Sequence, residues 1–325
     1  MTAPDVFLLA DIGGTNTRIA RVRGDARPDA LVEGATAEHA SAEAALQAYL
    51  ATQPVDELRA VAVCAAGPLT DGAIQLTNHP IRVTRAGLAR AFPGCAIVLV
   101  NDFAALAAAL PAFGAADVSR IGGGAPEARA ARVVIGPGTG LGMAAVVPDD
   151  AGRFIAVPSE GGHADLAPGD ARETKILAHL QRKFTRVTLE HIVSGTGLPL
   201  LYRAVASLRG VRRKSIGAAE IAAKCASDPI ARETIEVFTL MLASAARNLA
   251  LTFAARGGVY LAGGILPRWG ALFDEALFRS RFDVEGAFHD FLRAIPIYRI
   301  QTPHAALIGL ARLAADAVRS GGQGA

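Results

Sequence analysis

The sequence has little cysteine and lacks the spacings that usually give cysteine a structural role. Its 325 residues include three cysteines, Cys64, Cys95 and Cys225, which are far apart and form no CxxC pair. This pattern excludes a readable disulfide framework and a cysteine-based zinc site. Such cysteine usage is typical of a reducing compartment, so we expect a cytoplasmic protein.

Runs of one charge and long uninterrupted apolar runs are also missing. The formal net charge is +3, and the densest basic cluster, 212–214, is too short to follow a nucleic-acid backbone. Acidic residues interrupt the apolar start, which does not resemble a signal peptide. The longest apolar stretch, 238–255, contains Arg247 and Asn248 and predicts a buried helix. We therefore expect a soluble protein with no nucleic-acid or membrane partner.

Apolar residues make up 51% of the chain and charged residues 19%, and the length exceeds what one hydrophobic core usually serves. A pattern of apolar run, glycine turn and second run occurs twice, which predicts strand, turn and strand each time. The recurrence predicts duplicated architecture: two α/β lobes around a cleft, with a hinge in the Gly- and Pro-rich loops near 111–114 and 122–126. The two copies cover 6–10, 11–16 and 17–22, and then 132–135, 136–142 and 143–147.

Further elements follow from apolar periodicity and from helix start and stop signals. Ser41 is the predicted N-cap of the first helix, and Pro111 is predicted to end the second. Strands are predicted at 59–64, 96–100, 154–157 and 258–262, and helices at 41–50, 103–110, 172–182 and 305–317.

The first glycine turn, Asp11-Ile12-Gly13-Gly14-Thr15, combines a carboxylate, a flexible backbone and a hydroxyl. Glycine lets backbone N–H groups approach a phosphate without obstruction by side chains. In such a site Asp11 would hold Mg²⁺ through water. The alternative is an ordinary hairpin turn, in which glycine pairs are common.

The second turn, 136–142, has the sequence GPGTGLG. No Gly-Lys-Ser/Thr follows it, so it is not a Walker loop, and the strand predicted after it argues against a dinucleotide-binding fingerprint. Alone it is weak evidence. Two such turns at matching places in two lobes would contact one phosphate chain from both sides.

Asp102 follows the strand predicted at 96–100 and opens a helix, a position where ligand crevices commonly form in α/β folds. Phosphorylation of a sugar hydroxyl needs a carboxylate that takes the proton as the O–P bond forms. The alternative is that Asp102 only caps the helix.

Two later segments carry candidate sugar ligands. Glu160 and His163 share the loop Ser159-Glu160-Gly161-Gly162-His163, and carboxylates are strong acceptors for ring hydroxyls. A buried histidine both donates and accepts, whereas a structural or metal-binding role for His163 is the alternative. Glu190 precedes a glycine turn, and alone it would be a surface helix residue.

Together these motifs resemble the bacterial glucokinase family, within the hexokinase–actin–chaperone ATPase superfamily, along nearly the whole chain and in order. The resemblance rests on the ordered set rather than on any single segment. The matching segments are 11–16, 76–79 (including Asn78), 101–103, 135–142, 160–163, 190 with 194–195, and 259–265.

The resemblance implies an ATP-dependent kinase that phosphorylates the 6-hydroxyl of glucose, with ATP and Mg²⁺ as cofactors. Asp102 would be the general base, and Asp11 would serve the magnesium. Asn101, Glu160, His163 and Glu190 would bind glucose hydroxyls. The implied nucleotide-binding residues are Ala10, Asp11, Ile12, Gly13, Gly14, Thr15, Gly138, Thr139, Gly263 and Gly264.

The resemblance also implies a two-lobed α/β fold of the actin-like ATPase (ribonuclease H-like) type with an inter-lobe cleft. The small lobe would comprise 1–112 and 303–325, the large lobe 113–302, and the protein would be a homodimer. Two residues depart from the pattern: Ser159 stands where glycine is expected, and Thr196 where proline is usual. The related repressor–kinase branch carries a Cys-rich zinc motif that this chain lacks, which favours the glucokinase branch.

Two other functions remain open from the residues alone. A non-catalytic sugar sensor would keep the fold without turnover, although retention of Asp102 and both turns argues against it. A kinase for mannose, fructose or an N-acetylated sugar would use the same machinery.

Overall fold

The computed structural model describes residues 5–24, 26–55, 57–77, 79–284 and 286–321. Asn78, part of one matching segment, lies outside this description. The chain divides into two compact units. The first comprises Met1–Ala116, Arg153–Pro158 and Thr302–Ala325, and the second comprises Asp117–Gly152 and Ser159–Gln301. The functional lobes expected at 1–112 with 303–325 and at 113–302 stay a prediction.

The described residues form β-strands and α-helices that alternate along the chain. The strands are β1 (Val6–Ile12), β2 (Asn16–Arg23), β3 (Asp29–Ala35), β4 (Leu58–Ala65), β5 (Leu69–Thr70), β6 (Ala73–Gln75), β7 (Arg82–Thr84), β8 (Ala96–Asn101), β9 (Val118–Gly122), β10 (Arg132–Pro137), β11 (Leu141–Pro148), β12 (Phe154–Ser159), β13 (Gly258–Leu261) and β14 (Ile297–Ile300). The helices are α1 (Ala42–Thr52), α2 (Arg85–Ala91), α3 (Asp102–Ala109), α4 (Ala171–Gln181), α5 (Leu198–Leu208), α6 (Ala218–Ala223), α7 (Pro229–Phe253), α8 (Ile265–Trp269), α9 (Glu275–Phe282), α10 (His289–Ala294) and α11 (Ala305–Arg319).

The first unit is built on a five-stranded sheet of order β3-β2-β1-β4-β8, beside a small sheet of β5, β6 and β7. Strand β1 is antiparallel to β2 and parallel to β4, and β4 is parallel to β8. Alternate residues of β1 enter different cores, because successive side chains of a strand point to opposite faces. Leu8 packs in a cluster with Leu46 of α1, whereas Phe7 and Leu9 pack in a cluster with Leu307 of α11.

Helix α11 completes the second of these cores. Its buried residues Leu307 and Leu310 join Phe7 and Leu9, and burial of each such side chain contributes about 1.5–3 kcal/mol. Gly309 lies so close to the carbonyl oxygen of Ala105 in α3 that a Cβ atom there has no room. The C-terminal helix is therefore integral to the first unit.

The second sheet repeats the strand order of the first. Its order is β12-β11-β10-β13-β14-β9, in which β10 is antiparallel to β11 and parallel to β13, and β13 is parallel to β14. Strands β11, β10, β13 and β14 thus correspond to β2, β1, β4 and β8. The two sheets therefore share one strand order, as the predicted duplication of architecture requires.

Helix α7 is the long apolar segment of the second unit. It is long and apolar enough to cross a membrane by composition, but 78% of its most apolar window is buried inside the protein. Phe238, Leu242 and Ala246 are fully buried, and the guanidinium of Arg247 donates to the carbonyl of Arg281. It is therefore the buried helix that the sequence predicts, and it extends further toward the N-terminus than expected.

Candidate functional site

The first glycine turn joins β1 to β2 and is held by backbone and hydroxyl groups. The N–H of Gly13 donates to the carbonyl of Asn16 at 2.9 Å, and the hydroxyl of Thr36 donates to the carbonyl of Gly13 at 2.8 Å. A Cβ atom on Gly14 would lie 2.9 Å from the carbonyl oxygen of Thr77, so only glycine fits there without a shift. Thr15 is exposed. The turn is therefore preorganised by its surroundings.

Ala10 and Ile12 were also predicted to bind nucleotide. Both lie in β1 with buried side chains, at 0% and 1% exposure. The carbonyl of Ile12 accepts a hydrogen bond from the N–H of Ala66. Their packing role is clear, and their contribution to nucleotide binding stays a prediction.

The carboxylate of Asp11 is held from two sides. The thiol of Cys64 donates to Oδ1 at 3.5 Å, and Nη1 of Arg18 contacts Oδ2 at 3.2 Å. Arg18 also contacts Glu33 at 2.9 Å. Burial raises the pKa of the Cys64 thiol well above its usual range, and the carboxylates of Asp11 and Asp102 raise it further. Cys64 is thus a neutral donor that orients Asp11.

Sequence reasoning missed both partners of Asp11. Arg18 lies directly opposite Asp11 in the β1–β2 register, so the predicted hairpin contained a signal for it. Cys64 lies opposite Asp11 through the parallel pairing of β1 with β4. That register depends on strands far apart in the chain, and no local pattern indicates it.

Asp102 lies at the carboxyl end of β8, where α3 begins. The N-cap is Asn101, whose Oδ1 accepts from the N–H groups of Phe103 at 2.8 Å and Ala104 at 3.3 Å. Asp102 is the first helical residue, is half-buried, and its Oδ1 also accepts from the N–H of Phe103 at 2.9 Å. The capping role considered for Asp102 therefore belongs to Asn101.

Asn101 was predicted to bind glucose, yet both ends of its amide contact the protein. Besides the cap, its Nδ2 donates to the carbonyl of Gly67 at 3.0 Å. These contacts fix the strand-to-helix junction that carries Asp102. A sugar-binding role for Asn101 stays a prediction.

The ends of β1, β4 and β8 bring two acids of the first unit to one edge of the sheet. Asp11 is opposite Cys64 in the register, and Ala65, the next residue of β4, is opposite Asn101. The effect of both Asp11 and Asp102 on the pKa of the Cys64 thiol agrees with this placement. The carboxylates of Asp11 and Asp102 therefore lie at the same edge of this sheet.

The donor set at this edge fits magnesium held through water. Mg²⁺ usually keeps several waters and uses one or two carboxylates together with substrate phosphates. Both oxygens of Asp11 already accept from Cys64 and Arg18, so an outer position suits the ion better than direct contact. Among the residues described, no three His, Cys, Asp or Glu side chains are grouped as a metal cage would require.

The second glycine turn, between β10 and β11, is held by a segment from much later in the chain. The N–H of Gly138 donates to the carbonyl of Gly140 at 2.8 Å, and the N–H of Gly195 donates to the carbonyl of Gly138, also at 2.8 Å. Thr196 donates to the carbonyl of Thr139 from its N–H at 3.3 Å and from its hydroxyl at 3.1 Å. A Cβ atom on Gly138 would meet no atom within 4 Å, so this face of the turn is open.

The predicted adenosine-side glycines lie beside this turn. Gly263 has a φ of +84°, and a Cβ atom there would collide with the carbonyl oxygen of Pro137. Both the conformation and the contact therefore require glycine. Gly264 immediately precedes α8.

The predicted sugar ligands of the second unit approach the start of β11. Glu160 precedes a 3₁₀ turn, Gly161–His163, and both Glu160 and His163 are exposed. The histidine is thus accessible rather than buried. Glu190 lies in a 3₁₀ turn and is half-buried, and its Oε2 accepts from the N–H of Leu141 at 2.8 Å. It is not a surface helix residue.

Comparison with known proteins decides the family. The family model described as glucokinase matches residues 8–317. A glucokinase of Chromobacterium violaceum is 39% identical over 311 residues, which cover 95% of this chain and 89% of the relative. The chain belongs to the glucokinase family. Membership confirms the predicted family and the prediction of a glucokinase-type enzyme.

Solved structures support the same fold class. The crystal structure of a glucokinase from an Antarctic psychrotroph matches with a TM-score of 0.89 and 31% identity, covering 96% of this chain and 99% of that one. A ROK-family glucokinase from Streptomyces griseus, solved in complex with glucose and AMPPNP, matches with a TM-score of 0.62 and 21% identity, covering 96% and 99%. The predicted α/β fold class of the glucokinase family is confirmed.

Proposed function

We propose that this glucokinase-family chain transfers the γ-phosphoryl group of ATP to the 6-hydroxyl of glucose, with Asp102 as the general base. The observation that carries the proposal is that Asn101, rather than Asp102, is the N-cap of α3. Asn101 caps the helix and binds Gly67, which leaves Asp102 half-buried at the carboxyl end of a parallel strand. Such strand ends are where α/β proteins place their ligands.

The chemistry assigned to Asp102 is removal of the proton from the sugar hydroxyl as the new O–P bond forms. The half-buried carboxylate at a helix start accepts that proton, and it orients the attacking oxygen toward phosphorus. Products are glucose 6-phosphate and ADP, and the proton leaves Asp102 to solvent after product release.

The remaining roles follow the same assignments. Three side chains bind the ring hydroxyls of the sugar. The carboxylates of Glu160 and Glu190 accept hydrogen bonds from them, and the exposed His163 donates or accepts one. The turns at 13–15 and 138–139, together with Gly263 and Gly264, bind the nucleotide. Because the N–H groups of Gly13 and Gly138 are held inside the turns, the assigned donors are the N–H groups of Gly14, Thr15 and Thr139. Asp11 would hold magnesium through water, and the bound ion would neutralise charge on the phosphates.

The same proposal includes a cytoplasmic location and a homodimer. The composition supports the first, since scattered cysteines suit a reducing compartment. The second rests on the family resemblance alone. Light scattering coupled to gel filtration measures the dimer directly.

The test is a coupled assay of ADP release with the wild type and with Asp102→Asn. The wild type is expected to turn over glucose, and Asp102→Asn to lose about 10²–10⁴ in kcat, the range typical of a general base. Glucose affinity, measured by calorimetry, is expected to persist in the variant. Near-normal turnover by Asp102→Asn would remove this residue from the role of base.

Two other outcomes have distinct signatures in the same assay. Glucose binding without turnover by the wild type identifies a sugar sensor. A higher kcat/KM for mannose, fructose or an N-acetylated hexose than for glucose identifies a kinase for that sugar.

A further inference from the structure

Thr196 holds the second glycine turn with two donors. Its N–H group and its hydroxyl both donate to one acceptor, the carbonyl oxygen of Thr139. The distances are 3.3 Å from the N–H and 3.1 Å from the hydroxyl.

The hydroxyl of Thr196 also contacts Ser194. The hydroxyl of Ser194 donates to the carbonyl of Glu190 at 2.7 Å and accepts from the N–H of Gly197 at 2.9 Å. Ser194 Oγ lies 3.1 Å from Thr196 Oγ1, and either hydroxyl can be the donor in this contact.

These contacts form a closed circuit that includes both the turn and a candidate sugar ligand. From Thr139 the circuit passes through Thr196 and Ser194 to the backbone of Glu190. It returns from the Glu190 carboxylate to the N–H of Leu141, at the end of the same turn. Ser194 is fully buried, so this part of the circuit is shielded from competing water.

We propose that Thr196 is a positioning residue that holds the second glycine turn in its nucleotide-binding conformation through the carbonyl of Thr139. This inference rests on the proposed function, because it assigns the turn to the phosphates of ATP. Fixing the carbonyl of Thr139 also fixes the plane of the peptide that follows, and hence the direction of the N–H of Gly140. Loss of the hydroxyl is expected to loosen the peptide between Thr139 and Gly140. It is expected to affect Glu190 less, because the carboxylate of Glu190 keeps its hydrogen bond from the N–H of Leu141.

The experiment compares Thr196→Val with Thr196→Ser. Valine keeps the N–H and the side-chain shape but removes the hydroxyl, whereas serine keeps both donors. Removal of one neutral hydrogen bond is expected to raise the KM for ATP about two- to ten-fold. The KM for glucose is expected to change by less than about two-fold, and Thr196→Ser is expected to restore the KM for ATP.

Thr252→Val is the matched control. The hydroxyl of Thr252 donates to the carbonyl of Asn248 at 2.8 Å on the exposed side of α7, remote in sequence from either turn. Its removal is expected to leave both KM values unchanged. Thermal melting of all variants shows whether any of them has lost stability.

Three results would overturn the inference. The first is an unchanged KM for ATP in Thr196→Val. The second is a parallel rise in both KM values with a lower Tm, which indicates a general structural role. The third is failure of serine to restore the KM for ATP. If the wild type turns over no sugar, the proposed function fails separately, and calorimetric titration with AMPPNP then compares the two variants directly.

Discussion

The two glycine turns occupy matching places in two sheets of the same strand order, yet they are equipped differently. The first contains an acid, Asp11, which Cys64 and Arg18 hold in place. The second, GPGTGLG, has no ionisable side chain of its own, and a carboxylate reaches it from Glu190. The same strand order therefore presents a side-chain carboxylate at the first turn, whereas the second turn offers only backbone groups of its own.

The two turns also differ in what keeps them rigid. The first is held by neighbours in its own sheet, above all Thr36, which follows β3. The second is held by the segment 190–197, which follows it by about fifty residues of chain. We therefore expect substitutions at the first turn to affect chemistry, and substitutions around the second to affect binding.

Among the substitutions that compare the two turns, the largest effect is expected at Asp11. Asp11→Asn keeps the shape of the side chain but removes the charge that serves magnesium, and loss of such outer-sphere partners typically lowers activity about 10–100-fold. The measurement is kcat against Mg²⁺ concentration. Asp29→Asn, at another carboxylate of the same sheet, paired with Arg21, is the control and should retain wild-type rates. Equal rates for Asp11→Asn and wild type would mean that the two turns do not divide the work in this way.

A smaller effect is expected for Glu160→Gln, on the sugar side of the second unit. Loss of a charged acceptor for ring hydroxyls is expected to raise the KM for glucose about tenfold or more. The KM for ATP should change little. Glu220→Gln is the control. It removes an exposed carboxylate of α6 that pairs with Lys224 at the C-cap, and both KM values should stay unchanged. A change confined to the KM for ATP would assign the 160–163 loop to the nucleotide.

The smallest effect is expected for Cys64→Ala, which removes a weak thiol donor from Asp11. The Mg²⁺ concentration for half-maximal rate is expected to rise about two- to five-fold, because a weak thiol hydrogen bond contributes about 0.5–1 kcal/mol, the lower part of the usual range. Cys95→Ala is the matched control, since Cys95 immediately precedes β8, at the end opposite Asp102, and its thiol donates to the carbonyl of Leu58 in β4. The proposed orienting role of Cys64 would be contradicted by identical magnesium dependence in the two variants.

Local elements could be predicted from sequence because their signals are local. Ser41 is the N-cap of α1 as predicted, with Oγ accepting from the N–H of Ala44 at 3.1 Å. The β1–β2 and β10–β11 hairpins follow from apolar runs around glycine turns. The end of α3 near Pro111 follows from the missing N–H of proline.

The parts of the site that escaped prediction depend on long-range register. Cys64 reaches Asp11 only because β4 pairs in parallel with β1, and Glu190 reaches Leu141 only in the folded second unit. The sequence also left open that Asp102 caps the helix, because aspartate caps helices well, whereas the structure has Asn101 as the N-cap. The helix begins one residue earlier than a cap at Asp102 would require, and sequence patterns do not locate helix ends to a single residue.

The position of α11 has a consequence for how the protein is made. Residues 305–319 cover the sheet face formed by Phe7 and Leu9, yet the ribosome adds them after every residue of the second unit. The strands synthesised first therefore keep one apolar face exposed until α11 is made, whereas the second unit has all its residues and can fold earlier. Newborn chains are most prone to aggregate during this interval, and α11 ends it.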